Sequence, residues 1–97
     1  MLFAFCSLKH NNITGSGRAL GEALNTNSSL KKLNLFGCKL GLEDARGLAS
    51  GIASNPSLAE LWFGDNDMGV EGATALAPAI AASGALTHVR CLSRSSL

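Results

Sequence analysis

The stretch SLKKLNLFGCKLG, residues 29–41, places its apolar residues two positions apart and then passes through a cysteine. Alternation of apolar and polar residues is typical of a β-strand with one buried face. Leu33 and Leu35 are therefore expected on the buried face of such a strand. Cys38 follows the strand, and its residue type alone allows a nucleophile, a zinc ligand, a disulfide partner or a structural residue.

This pattern recurs along the chain with a period of 28 residues. The apolar sets in phase are Leu30, Leu58 and Leu86, then Leu33, Leu61 and Val89, then Leu35, Phe63 and Cys91. One unit earlier the period is 27, and Phe3, Cys6, Leu8 and Ile13 precede the corresponding leucines. Such periodicity predicts a repeat architecture. It divides one domain, 1–97, into units of about 3–29, 30–57, 58–85 and a partial unit, 86–97, which looks like a segment of a longer array.

The second half of each unit has apolar residues at intervals of three and four, which predicts a helix. Glu43 and Asp44 suit the first turn of one helix, because acidic side chains are favoured near the positive end of the helix dipole. Asn55 precedes a proline and is expected to end that helix. Pro78 lies between two apolar residues that stay in phase, which predicts a bent or locally irregular helix rather than a missing one.

The repeated pattern L-x-x-L-x-L-x-x-(N/C)-x-L, followed by a helix, resembles the ribonuclease-inhibitor type of leucine-rich repeat. It is carried by Leu30, Leu33, Leu35, Cys38 and Leu40, by Leu58, Leu61, Phe63, Asn66 and Met68, and more loosely by Phe3, Cys6, Leu8, Asn11 and Ile13. The resemblance implies an α/β fold, a right-handed solenoid of about 3.5 repeats. Its parallel β-sheet would line the concave side of an arc and its helices the convex side.

The resemblance also bears on function, because proteins of this family act almost entirely by binding other proteins. It predicts a non-enzymatic protein–protein interaction module that binds a protein partner through the concave face. Two alternatives are a regulatory segment, either GTPase-activating or immune-sensor-like, and a truncated fragment without autonomous function. Neither a cofactor nor a metal ion is expected.

Cys38 occupies the repeat position that Asn11 and Asn66 occupy in the neighbouring units. In the family that position holds a buried Asn or Cys whose side chain bonds to backbone groups of the turn, so the resemblance implies a structural ladder at these three residues. His88 and Cys91 form a single H-x-x-C motif, which falls short of a tetrahedral zinc site. They are also the only plausible parts of a catalytic dyad, and alternation directs them to opposite faces of the strand.

The residues that alternate with the buried leucines are the candidates for partner binding on the concave face: Ser7, Lys9, Lys32, Asn34, Phe36, Glu60, Trp62, His88 and Arg90. Parallel strands lie about 4.8 Å apart, so these side chains are expected to align in columns across the sheet. Trp62 is the chain's one tryptophan, and an exposed Trp beside Arg90 has the composition of an interface hot spot. The alternative is that Trp62 covers sheet surface while Arg90 stacks on it by cation–π attraction.

Composition narrows the remaining possibilities. The net charge of +1 gives no indication of nucleic acid or membrane binding. Three cysteines, none close to another in sequence, argue against a disulfide framework and favour a reducing, cytoplasmic location. The pattern provides no polar capping unit at either end, which predicts possible self-association through the uncapped ends.

Overall fold

A computed structural model describes residues 5–90, which form four short strands alternating with three helices. The elements are β1 (Phe5–Ser7), α1 (Gly17–Thr26), β2 (Lys32–Asn34), α2 (Leu42–Ser54), β3 (Glu60–Trp62), α3 (Gly69–Ala82) and β4 (His88–Arg90). The strands form one parallel sheet in chain order, β1-β2-β3-β4. The predicted α/β solenoid arc is confirmed.

The register of the sheet follows the sequence period. Leu33 pairs with Cys6 on one side and with Leu61 on the other, and Leu61 pairs with Val89. These neighbours are 27 or 28 residues apart, as the repeat requires. Residues of successive units therefore stand side by side on the same face of the sheet.

The strands begin and end one residue earlier than the sequence predicts. Strands were expected to centre on Cys6–Leu8, Leu33–Leu35, Leu61–Phe63 and Val89–Cys91, of which Cys91 lies outside the described residues. The cause is the turn after each strand. The Leu35 amide still donates to the carbonyl of Trp62 at 2.7 Å, but the chain already leaves the strand there, toward a residue of positive φ at Gly37.

The core lies between the inner face of the sheet and the helices. Leu33 and Leu61 are 2% and 1% exposed, so both point to this side. The largest side chains of the core come from strands, turns and helices alike: Leu35, Leu40, Leu48, Ile52, Leu58, Leu61 and Leu76. This interior is aliphatic, and it accounts for the alternation in the strands and the three- and four-residue spacing in the helices.

Glycines set the distance between α1 and α2. A Cβ atom at Gly21 would lie 2.0 Å from the carbonyl oxygen of Gly47, and one at Gly51 would lie 2.3 Å from that of Gly21. The two helix backbones therefore touch directly. The next helix, α3, continues through Pro78 from Gly69 to Ala82. Within residues 5–90 no helix has the length and apolar character to cross a membrane.

Asp44 connects the first two units. Its carboxylate is 5% exposed and accepts hydrogen bonds from the amides of Gly17 at 2.8 Å, Gly41 at 3.0 Å and Gly15 at 3.2 Å. It thus serves the start of its own helix and of the helix one unit earlier, whereas the sequence predicted only the first role. Burial raises the pKa of Asp44, but the three N–H donors outweigh burial and hold the pKa below its usual value.

Replacing Asp44 with Asn should destabilise the protein at neutral pH by about 1–3 kcal/mol, because the amide group turns a donor toward N–H groups that need an acceptor. A carboxylate whose pKa is lowered by folding stabilises the protein above the unfolded-state pKa of about 3.9, and this contribution is lost as the pH falls through the lower folded-state pKa. The difference in unfolding free energy between wild type and Asp44→Asn should therefore shrink between about pH 4 and pH 2. Urea unfolding followed by circular dichroism across this range measures it.

Glu43→Gln is the matched control for this experiment. It removes a carboxylate from the same helical turn, but one that is exposed and paired with Arg46 at 2.7 Å. Exposed pairs of this kind contribute about 0–1 kcal/mol, so the variant should stay close to wild type. A gap between wild type and Asp44→Asn that is constant from pH 7 to pH 2 would contradict the assigned role.

Candidate binding surface

The open face of the sheet is the side turned away from the helices. It is formed by Phe5, Ser7, Lys32, Asn34, Glu60, Trp62, His88 and Arg90 in the strands and by Lys9 and Phe36 just after β1 and β2. The register aligns these side chains in rows across the sheet. One row is Phe5, Lys32, Glu60 and His88, and the next is Ser7, Asn34, Trp62 and Arg90.

Trp62 lies at the centre of the open face and is half-buried. The Lys32 ammonium lies 5.1 Å from the centroid of its ring, and the Arg90 guanidinium carbon lies 5.2 Å from it. Because β3 lies between β2 and β4, the two cations approach the indole from opposite sides. The predicted cation–π contact between Arg90 and Trp62 is thus present, with a second cation added to it.

Glu60 joins this group from the same strand as Trp62. Its carboxylate accepts a hydrogen bond from the indole N–H and lies 3.7 Å from the Lys32 ammonium. The Trp62 N–H holds the pKa of Glu60 below its usual value, partly opposed by burial and supported by the charge of Lys32. At neutral pH Glu60 is therefore a carboxylate, and it balances the charge of Lys32.

Asn34 is a correction to the expected binding residues. It is only 7% exposed, and its side-chain oxygen accepts a hydrogen bond from the Phe36 amide at 3.0 Å. Its neighbours in register are Ser7 and the large side chain of Trp62. The expectation of an available side chain at this position was wrong, because alternation gives the direction of a residue and not the size of its neighbours.

A cleft of about 370 Å³ opens on this face beside Trp62. Its lining residues are Lys9, His10, Phe36, Trp62 and Arg90. The structure thus brings together four of the predicted residues around one space. Ser7 and His88 lie outside the cleft, and Lys32 and Glu60 reach it only through their contacts with Trp62.

His10 was not among the predicted residues. Its ring meets Phe36 edge-on, with centroids 5.6 Å apart and an interplanar angle of 84°. It also covers Gly37, where a Cβ atom would lie 2.7 Å from its Nδ1. A signal existed in the sequence period, since His10, Gly37 and Asp65 share one repeat position and have φ of 63°, 65° and 57°.

Asn66 makes the fullest set of ladder bonds. Its side-chain oxygen accepts from the amides of Cys38 at 2.9 Å and Leu40 at 3.0 Å, both in the preceding unit. Its side-chain nitrogen lies within hydrogen-bond distance of the carbonyls of Leu35, Phe63 and Gly64. One side chain therefore closes its own turn and the turn of the unit before it.

The other two ladder positions carry fewer bonds. Asn11 is exposed and donates to the carbonyls of Leu8 at 3.0 Å and Lys9 at 3.5 Å. The Cys38 thiol is fully buried and donates to Leu8 at 3.0 Å. Burial raises the pKa of this thiol, against the lowering effect of the Asn11 and His10 amides, so it stays protonated and unreactive.

A second set of cross-unit bonds, which the sequence did not predict, forms where each helix ends. Asn55 is 2% exposed, and its amide nitrogen donates to the carbonyls of Leu24 and Asn27, each at 2.8 Å. Its oxygen accepts from the amides of Ser57 at 2.8 Å and Leu58 at 2.6 Å. The signal was the asparagine shared by positions 27 and 55, which was interpreted as a turn marker alone.

The repeated units also match known sequences. A family model for the leucine-rich repeat matches residues 26–49 and 54–77, two segments offset by the same 28 residues that separate the paired strands. The chain is built from leucine-rich repeats. No curated protein matches it at a significant level. Leucine-rich repeat domains generally mediate protein–protein interaction and are typically non-enzymatic. Within residues 5–90 no three His, Cys, Asp or Glu side chains are grouped so as to hold a metal ion.

Asn66→Ala should destabilise the repeats by about 2–4 kcal/mol, because it leaves the amides of Cys38 and Leu40 without an acceptor. Asn11→Ala is the matched control, since the same residue type at the same repeat position bonds only locally and is exposed. It should cost less than about 1 kcal/mol. Chemical unfolding of both variants measures the difference. Equal losses would show that the bonds of Asn66 to the preceding unit contribute little.

Cys38→Asn should be tolerated, costing under about 1 kcal/mol, because an amide can donate to the same turn carbonyls. Cys38→Leu should destabilise by about 1–3 kcal/mol or more, since the pocket is full and a larger side chain has no donor for Leu8. Thermal unfolding of the two variants side by side provides the measurement. Identical melting temperatures would refute the structural role of the thiol.

Proposed function

We propose that this leucine-rich repeat chain is a non-catalytic interaction module and that the open face, on the concave side of the arc, holds a protein partner. The observation that carries the proposal is the cleft of the open face. Phe36 and Trp62 form its apolar walls, and Lys9 and Arg90 supply charge at its margin. None of these four side chains belongs to the buried core of the repeats.

The residue types at the cleft support binding. Trp and Arg are enriched among the residues that dominate interface energies. Trp62 is also held in place before any partner arrives, by Lys32 and Arg90 beside the ring and by Glu60 at its N–H group. A side chain that is already fixed loses little conformational entropy on binding, so more of its contact energy is available for affinity.

Two further features of the resemblance enter the proposal. A period of 27–28 residues, with helices of 10, 13 and 14 residues, supports the ribonuclease-inhibitor type of repeat. The Cys38 thiol acts as a hydrogen-bond donor, a role that requires the reduced form, and this supports a reducing compartment.

Trp62→Ala should weaken capture of the partner by about tenfold or more, the range expected for a central interface tryptophan. Wild type and variant are immobilised, and the proteins that each retains from a cell extract are quantified by mass spectrometry. Thermal unfolding of the variant should remain cooperative, because Trp62 lies outside the core.

Val70→Ala is the control for this comparison. Val70 is 84% exposed and lies on α3, away from the open face. Its truncation also removes exposed apolar surface, and it should leave the retained proteins unchanged. Equal retention by wild type, Trp62→Ala and Val70→Ala would mean that the open face is not the binding surface.

A further inference from the structure

The charges of this chain are unevenly distributed between its two sides. The open face carries three cations, Lys9, Lys32 and Arg90, and one carboxylate, Glu60, which gives it a net charge of +2. The whole sequence has eight Lys and Arg and seven Asp and Glu residues, for a net charge of +1. The rest of the chain therefore has five cations against six acids, a net charge of −1. Positive charge is concentrated on the open face.

Within that face, the cations at the cleft are those without an acidic partner. Lys32 is neutralised by Glu60 at 3.7 Å. Neither Lys9 nor Arg90 forms a salt bridge with any carboxylate among residues 5–90. Both line the cleft, so two uncompensated positive charges lie at the margin of one apolar space.

Stacking prepares Arg90 for a carboxylate without using its hydrogen-bond donors. The guanidinium lies against the Trp62 ring, at 5.2 Å from the centroid, and this contact engages the flat face of the group. The N–H donors lie in the plane of the guanidinium and remain available at its edge. A planar, stacked guanidinium is well suited to bind a carboxylate through two parallel hydrogen bonds.

From these observations we infer that the cleft binds an acidic peptide segment of the partner. A carboxylate of the segment is held by Lys9 and Arg90, and a neighbouring apolar side chain packs on Phe36 and Trp62. The inference rests on the proposed function and specifies the chemistry of its partner.

A nucleic acid fits the same surface less well. Both sides of the Trp62 ring are already covered, by Lys32 and by Arg90, so a base has no free ring face there on which to stack. The open face offers three cations, one of them neutralised, whereas proteins that bind nucleic acid through its phosphates commonly neutralise about 6–10 of them.

The test uses the full chain and the fluorescence of Trp62, the one tryptophan in the sequence. The probes are three end-blocked eight-residue peptides with a central leucine flanked by glutamates, by glutamines or by lysines. We expect the glutamate peptide to shift the emission of Trp62 and to bind about five- to tenfold more tightly than the glutamine peptide, the effect of two exposed ion pairs. The preference should shrink when salt is raised from about 0.05 M to about 0.5 M.

Paired charge-neutralising variants locate the effect. Lys9→Gln with Arg90→Gln should abolish the preference for glutamate over glutamine. Arg18→Gln with Arg46→Gln removes the same two charges from the helices, where both arginines pair with glutamates, and should preserve the preference. Isothermal titration calorimetry provides an affinity that does not depend on changes in Trp62 emission caused by the loss of Arg90.

The outcomes separate this inference from the function on which it rests. Equal binding of the glutamate and glutamine peptides overturns the acidic segment, and so does a failure of all three peptides, while loss of partner capture by Trp62→Ala still supports the open face. Tighter binding of an eight-nucleotide single-stranded thymidine oligomer than of the glutamate peptide also overturns it. If Trp62→Ala leaves partner capture unchanged, the proposed function fails and the inference fails with it.

Discussion

Hydrogen bonds between each turn and the side chains of a neighbouring unit are the constraint on which the rest of this structure depends. A strand of three residues followed by a turn leaves many backbone groups that the strand ladder does not pair, and buried backbone groups must find partners. Asn66, Asn55 and Asp44 supply them across separations of 26 to 31 residues. Units of different length could not keep these bonds, so the period of the sequence follows from the chemistry of the turns.

Much of the fold could be predicted from the sequence because this constraint makes the pattern repeat. Leu33 and Leu61 stand side by side since each obeys the same local alternation, and the 28-residue step defines their register. The limits of the strands were less accessible, because the turn conformation at positions such as Gly37 decides where pairing stops. Asp44 shows a second limit. Its fit to one helix start was visible, but its bonds to Gly15 and Gly17 depend on how α1 and α2 stack.

The candidate site was partly predictable for the same reason. Alternation placed Trp62 and Arg90 on one face and in adjacent strands, and this was sufficient to anticipate their contact. It did not predict the burial of Asn34, which depends on the bulk of its neighbours, nor the place of His10, which depends on a left-handed turn and the absence of a side chain at Gly37. Periodicity gives direction and register, whereas the shape of a cleft depends on particular side-chain volumes.

The separation of the two faces explains how such a chain can acquire a binding surface without losing its fold. Leu61 is fixed by the core, while Trp62, its neighbour in sequence, faces the other way and is held by Lys32, Arg90 and Glu60. These contacts are local to the open face, and no buried group depends on them. Glu60 has a particular effect here, since by neutralising Lys32 it leaves the uncompensated charge of the face at Lys9 and Arg90. The position of one carboxylate therefore directs the positive charge of the open face to the margin of the cleft.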